Sequence, residues 1–398
     1  MLPLILKPDT TAQNWNERRA ELLELFYEHV FGRRPDLPYT VASRLEYRRE
    51  VLNGTAVREH YTVTVTTELG SVDLQLALVL PNNSAPVPVV LLLSNHDKAV
   101  VPGTPPDFGA MGKVMEQAPA KWREETQAML AGVSKNGTPA PTLLDIETED
   151  SDVDYWPVEE IIASGRAAAA FYASEAQPDD RGRFPTALTA LFTAPGKERA
   201  ADEWGTLGAW AFAASRMVDV LYEHPGIDRE RISLVGFSRG GKTALWSAVQ
   251  DERISGVLVN NSGCTGAAVS RGKNGEVVAS INAFFPHWFC PNYAQYGWRE
   301  EEMPFDQHML VAAMAPRLCY VTSGSEDSWS DPQAEWLGAA EGSAAWKLFD
   351  ESVALTEQPG PGQAVQDYRI GYHQRQGGHA LTKWDWAMFL QFLKRHGA

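Results

Sequence analysis

The chain is poor in cysteine, short of positive charge, and has no long apolar run. Three cysteines in 398 residues, Cys264, Cys290 and Cys319, make no disulfide framework, and no CxxC pair offers a zinc site. Neither a metal nor a cofactor is expected. The thiols read as reduced and partly buried, with a Cys264–Cys290 pair left open. Lys and Arg number 35 against 51 Asp and Glu, a formal charge of −16. Phosphate binding needs a basic face, so this balance argues against nucleic acid as a partner and against docking on an anionic membrane. The apolar start, Met1 to Leu6, is broken at once by Lys7, Pro8 and Asp9. It is too short for the apolar region of a signal peptide, and the chain holds no span of about twenty apolar residues. With Met1 as the native start the protein is expected in the cytoplasm; if a signal peptide was removed, it is secreted. The oligomeric state has no signature in the sequence.

What is present reads as one α/β domain over residues 1–398. Residues 14–31 form an amphipathic helix with Trp15, Leu22, Leu23, Phe26 and Val30 on its apolar stripe and Arg18, Arg19 and Glu24 elsewhere. Arg44–Val51, His60–Thr67 and Val72–Leu80 then read as an antiparallel meander, the last two alternating apolar and polar. From Val87–Leu93 the pattern changes to continuous apolar runs, as in strands buried on both faces. Ala167–Tyr172, Ile232–Val235, Val257–Val259 and Leu318–Thr322 follow suit, with a weaker strand near Tyr368–Tyr372. Helical patterns at Trp204–Tyr222, Thr243–Val249 and Lys383–Arg395 separate or follow them. This alternation predicts a mostly parallel twisted sheet wrapped by helices on both faces, a three-layer α/β-hydrolase sandwich with antiparallel N-terminal edge strands. Residues 97–154, with Pro102, Pro105, Pro106, Pro139 and Pro141, read as an insertion. Its acidic end, Asp145 to Asp154, reads as a solvated face whose spacing fits no EF-hand.

The richest stretch is Gly236-Phe237-Ser238-Arg239-Gly240-Gly241-Lys242, set between the run Ile232–Val235 and the helical run from Thr243. Strand, Gly-x-Ser-x-Gly, helix is the context of a nucleophile elbow. The glycines leave room for a sharp turn that lifts the Ser238 hydroxyl above the sheet edge and aims the first helical N–H groups at whatever it attacks. A serine needs a base, and the base needs a carboxylate to hold its tautomer. In the order serine, acid, histidine, only His373, His379 and His396 follow the last strong strand. His379 is the expected base, because Gly377 and Gly378 let its loop bend back to the sheet edge. His373 competes from a strand end and His396 from the terminus. The acid is sought after Leu318–Thr322, in Ser323-Gly324-Ser325-Glu326-Asp327-Ser328-Trp329-Ser330-Asp331-Pro332. Asp327 is the natural choice, Glu326 a further one, and Asp331 before Pro332 reads as a turn or cap residue.

These motifs together resemble the glucuronoyl esterases, carbohydrate esterase family 15. The elbow matches the family's Gly-Cys-Ser-Arg-x-Gly-Lys except at Phe237, and Ser262-Gly263-Cys264-Thr265-Gly266-Ala267-Ala268 is similar to its second motif. Phe285 to Phe289, Pro304 to His308, Ala315 to Arg317, Asp327 to Pro332, and His379 with Thr382, Asp385 and Trp386 continue the series. The resemblance is specific over residues 204–395, looser toward the N-terminus and absent over 97–154. It implies hydrolysis of esters of (4-O-methyl-)glucuronic acid, as in lignin–glucuronoxylan linkages or oligosaccharides derived from them. It implies Ser238 as nucleophile, His379 as base, Arg239 as an oxyanion-hole side chain, and Lys242, Glu276 and Trp329 as sugar-binding residues. Trp288 is expected in the core, and His287 and His308 as loop-holding histidines.

One position departs from the pattern. Many members place a catalytic Glu before the Ser-Gly of the second motif, and here Asn261 stands there. An amide cannot supply the charge that stabilises an imidazolium, so the acid is expected from Asp327. The same departure motivates a weak or non-catalytic carbohydrate-binding relative, and an acetylxylan or other sugar-ester esterase is the other alternative.

Overall fold

Ten strands line up in one sheet in the order β1-β2-β3-β5-β4-β6-β7-β8-β10-β9 in the computed structural model, which describes residues 1–82, 85–95, 108–124 and 155–398. They are β1 (Thr40–Val51), β2 (Ala56–Thr67), β3 (Gly70–Pro81), β4 (Val87–Ser94) and β5 (Ala167–Tyr172). The rest are β6 (Ile227–Phe237), β7 (Ile254–Asn260), β8 (Leu318–Gly324), β9 (Gln363–Val365) and β10 (Ile370–Arg375). The meander β1–β2–β3 is antiparallel, β3 joins β5 antiparallel, and β5, β4, β6, β7, β8 and β10 run parallel. β9, which has no recognisable apolar pattern, closes the far edge antiparallel to β10. At the other edge β1 is exposed along most of its length. It carries Arg44, Glu46, Arg48, Arg49 and Glu50 and a register shift between Leu45 and Tyr47, devices that discourage strand addition.

The apolar runs divide between two faces as strand geometry requires. Leu91, Leu93, Leu234, Val257, Val259 and Val321 pack with Trp210, Met217, Leu245 and Trp246, the last four from α3 (Thr206–Glu223) and α4 (Arg239–Gln250). The N-terminal helix α1 (Trp15–His29) joins this layer through Trp15, Leu22 and Phe26. Val90, Leu92, Val235, Leu258 and Tyr320 face the other way, onto Trp386, Phe389 and Phe392 of α7 (Lys383–Arg395). Each such large side chain contributes roughly 1.5–3 kcal/mol by leaving water. The result is the three-layer α/β-hydrolase arrangement that the alternation predicted.

Two details differ from expectation. Arg19 is buried rather than on an outer face: its guanidinium is taken up by Ala313 O at 2.7 Å, by Val249 O and by Glu252 at 2.8 Å. Its stem covers apolar surface while its donors find carbonyls, which periodicity alone does not reveal. Of the insertion, residues 108–124 are described, and the prolines and acidic cluster lie outside the described residues. Helix α2 (Phe108–Gln117) brings Val114, with Ala118 and Trp122 just beyond it, against Val277 and Ala279 at the start of α5 (Val278–Phe284). Among the described residues no helix is long and apolar enough to cross a membrane.

Topology decides where chemistry belongs. From β4 the chain goes to β5 on one side and then to β6 on the other. Such a reversal opens a crevice at the carboxyl ends of the strands, where ligands of open α/β sheets bind.

Candidate active site

Ser238 stands between the end of β6 and the start of α4 with φ 57° and ψ −127°. A non-glycine residue there stores about 1–3 kcal/mol of strain, held by the surrounding packing. A Cβ on Gly236 would sit 2.1 Å from Gly240 O and 2.8 Å from Ala244 Cβ; one on Gly241 would meet Asn260 O at 3.0 Å. The glycine spacing is therefore a requirement of close backbone approach. Lys242 N makes the helix's first return bond, to Ser238 O at 3.1 Å, so the N–H groups of Arg239 and Gly240 precede the first helical donor and have no acceptor within the helix.

His379 lies on the loop between β10 and α7. Its Nε2 is 2.9 Å from Ser238 Oγ and its Nδ1 2.6 Å from Asp327 Oδ2. The Asp327 side chain is 3% exposed, and that of His379 is 39% exposed. Burial opposes the charge on Asp327, but the hydrogen bond and charge of His379, with donors Ser330 and Asn261, hold its carboxyl well below the usual carboxylate range. Asn261 Nδ2 donates to Asp327 Oδ2 at 2.7 Å, and Ser330 N to Oδ1 at 3.1 Å. The His379 loop hangs from Arg375, whose guanidinium donates to Gln376 O at 2.9 Å, Gly378 O at 2.5 Å and Ala380 O at 3.2 Å. Asp385 pairs with Arg375 at 3.0 Å and accepts from Thr382 N and Oγ1 at 2.8 and 2.7 Å, tying the loop to the start of α7.

The expected sugar side adjoins the elbow. Lys242 is buried, and its ammonium donates to Ser262 O, Cys264 O and Glu276 Oε2, each at 2.7 Å. All three of its N–H donors thus have acceptors. Glu276 Oε1 accepts no hydrogen bond from a described residue and is not among the sealed, unpartnered buried atoms. The Glu276 loop is fastened to the Asp327 loop: Glu276 N donates to Trp329 O at 2.9 Å, and Lys273 Nζ to Trp329 O and Ser330 O at 3.1 and 2.8 Å. Trp329 itself is half-buried. The α2 segment reaches the same loop, with Trp122 Nε1 donating to Gly275 O at 2.8 Å. Arg239 is partly exposed and gives Nη1 to Asp179 Oδ2.

Known proteins match this arrangement along the whole chain. The family description "Glucuronyl esterase, fungi" matches residues 128–350. The carbohydrate esterase MZ0003 of an unknown prokaryotic organism is 32% identical over 399 residues, covering 97% of this chain and 86% of its own. The chain belongs to the glucuronoyl esterase family. A solved glucuronoyl esterase from Solibacter usitatus superposes with a TM-score of 0.81 at 33% identity, over all of this chain and 98% of its own. The 4-O-methyl-glucuronoyl methylesterase of Hypocrea jecorina is 33% identical over 158 residues, 37% of this chain and 34% of its own. The protein is accordingly a carboxylic ester hydrolase of this family. The similarity also runs further than residues 204–395: the family match begins inside the segment read as an unrelated insertion.

Among the sequence-derived candidates, the structure brings Ser238, His379 and Asp327 into one hydrogen-bonded chain in this esterase and places Arg239, Lys242, Glu276 and Trp329 around it. The competitors stand elsewhere. His373 lies within β10, fully buried, with Nε2 2.8 Å from Asp385, and burial lowers its pKa. His396 bonds Gln366 O at 3.0 Å. Glu326 is exposed, and Asp331, with φ 64°, caps α6 (Pro332–Gly342) through Ala334 N. His308 bonds Pro3 O at 2.8 Å and so holds the N-terminal segment. All three cysteines are free and buried. Sequence reasoning missed Asp179, Arg375 and Lys273. The one signal for Asp179 is Pro178-Asp179-Asp180, an acidic pair just past the carboxyl end of a buried strand.

Proposed function

We propose that this esterase cleaves esters of (4-O-methyl-)glucuronate through a uronoyl-enzyme. Ser238 Oγ attacks the uronoyl carbonyl while His379 Nε2 takes its proton, and Asp327 holds the imidazole with its proton on Nδ1 and stabilises the imidazolium. The oxyanion is met by the first N–H groups of α4 and by the Arg239 guanidinium. His379 returns the proton to the departing alcohol, and water, activated by the same imidazole, releases the uronate. The supporting observation is the chain of contacts at 2.9 and 2.6 Å linking Ser238, His379 and Asp327. With it, the place left by Asn261 does not leave the base without a carboxylate.

For the sugar, Lys242 serves through Glu276: it fixes one carboxylate oxygen and leaves Oε1 to accept from pyranose hydroxyls. Trp329 offers an apolar face and an indole N–H beside it. Alcohols of lignin–glucuronoxylan linkages or of oligosaccharides derived from them are the proposed leaving groups. The test compares benzyl glucuronate with acetylated xylan and p-nitrophenyl acetate, in the parent and in Ser238→Ala. Preference for the glucuronate ester, abolished by the substitution, is expected. Turnover of acetates alone would overturn the substrate, and equal slow turnover by parent and variant would overturn the mechanism.

A further inference from the structure

Arg239 is not a free cation. Its Nη1 is bound by Asp179 Oδ2, and the Asp179 side chain is almost wholly buried. The other carboxylate oxygen, Oδ1, accepts from His287 Nε2 at 2.9 Å and from Trp288 Nε1 at 2.5 Å. His287 Nδ1 is buried with no partner among the described residues. The ring thus meets Asp179 through Nε2, the one nitrogen that has a partner. Burial opposes the charge on Asp179, but Arg239, His287 and Trp288 hold its carboxyl below the usual range. The carboxylate is therefore anchored on one side by two ring N–H donors and turned toward Arg239 on the other. His287 and Trp288 are themselves fixed, because their carbonyls accept Thr206 N at 2.8 Å and Leu207 N at 3.2 Å from the start of α3. No Nε or Nη2 bond to a described residue is made by Arg239, whose guanidinium lies 5.9 Å from the Trp288 ring centre.

This arrangement answers a problem set by the reaction. The ester is neutral, the tetrahedral intermediate carries a transient oxyanion, and the product is a permanent carboxylate. An unopposed guanidinium binds carboxylates bidentately and strongly, so it would hold the product as well as the transition state. We propose that Asp179 is a positioning residue for Arg239: it aims the guanidinium at the oxyanion and offsets its charge so that the cleaved uronate is let go. The proposal rests on the reading of Arg239 as an oxyanion donor.

The test is a double-substitution cycle on benzyl glucuronate, with inhibition by free glucuronate measured beside kcat and KM. Asp179→Asn puts an amide N–H against Arg239 or against the two donors on the other side, and either misplaces the guanidinium. It is expected to lower kcat by about tenfold or more, short of the 10²–10³ for removing an oxyanion donor outright. It is expected to leave KM little changed and to tighten glucuronate inhibition by about tenfold, the lower end for one charged hydrogen bond. In an Arg239→Ala background the same substitution is expected to change kcat less than about twofold. An equal loss with and without Arg239, or unchanged glucuronate inhibition, would reduce Asp179 to a packing residue and overturn the proposal. The reading beneath it fails separately: Arg239→Ala alone would then keep parental kcat. Where Asp179→Asn does not fold, Asp179→Glu takes its place. It keeps the charge but moves it by one methylene, so kcat falls while glucuronate inhibition stays; unchanged kcat counts against the proposal.

Discussion

Replacing Asp327 by Asn isolates the charge that the esterase draws from β8 in place of the residue at Asn261. Asp327 Oδ2 accepts from both His379 Nδ1 and Asn261 Nδ2, at 2.6 and 2.7 Å, while Oδ1 accepts from Ser330 N at 3.1 Å. An amide has one oxygen for these two places. With oxygen toward His379, its NH2 meets the Ser330 N–H. With NH2 toward His379, it meets the Asn261 amide and forces the imidazole proton onto Nε2, where it cannot accept from Ser238. The same change in a triad on another fold costs about 10⁴ in kcat, roughly 5.5 kcal/mol at 1.36 kcal/mol per decade. We expect a fall of about 10³–10⁴ in kcat on benzyl glucuronate, with KM within about threefold, because Asp327 reaches the substrate only through His379. Because its carboxyl is held well below the usual range, protonation of Asp327 adds no step to the parent's rate between about pH 5 and 9. Asn261→Ala removes one of its donors and is expected to cost less than about tenfold. An Asp327→Asn variant that keeps more than about a tenth of parental kcat would refute the reasoning and send the search for the acid elsewhere.

Two further outcomes follow from burial and close approach. Burial pushes the Glu335 carboxyl up to about 7, with the Asp327 charge adding to the rise, although Ser323, Gly263 and Ser262 donate to it. Its unfolded value is about 4.3, so the unfolded chain gives up this proton first; the stability it brings is full below about pH 4 and is lost as pH climbs toward 7. Glu335→Gln should therefore match the parent near pH 4 and exceed it near pH 8 by about 3 kcal/mol in urea melts, and equal destabilisation at both would contradict this. Gly236→Ala drives a methyl to 2.1 Å from Gly240 O and is expected to cost about 3 kcal/mol or more, whereas Gly378→Ala, whose added methyl has no neighbour within 4 Å, should melt with the parent.

Much of the architecture was legible because burial on two faces writes continuous apolar runs. β4, β5 and β7 were readable this way, and β2 and β3 by their alternation, although both are buried on two faces over part of their length. β9 has three residues, two of them exposed, and nothing in such a stretch distinguishes strand from loop. The nucleophile was legible because a strained turn demands glycines at fixed offsets, and His379 because a bending loop does. Asp327 emerged by its place after a strand and by what Asn261 cannot do. Residues that act through another side chain left no such mark. Arg375, Lys273 and Asp179 are ordinary charged residues in the sequence; only the meeting of segments 60 residues apart makes Asp179 the partner of Arg239. Lys242 shows the same limit: its place one turn after Ser238 was readable, while the commitment of all three donors depends on loops 20 to 34 residues away.

The three members of the Ser238 chain follow β6, β8 and β10, and the outer two stand 141 residues apart. Local collapse of any one segment therefore creates no partial catalyst. Ser238 gains its base only after β10 has docked in register beside β8, and its elbow stands only once β6 has paired with β4, a partner much farther away along the chain. Returning esterase activity during refolding thus reports the joint assembly of all three strand ends, and a probe of helix content on the same sample should run ahead of it.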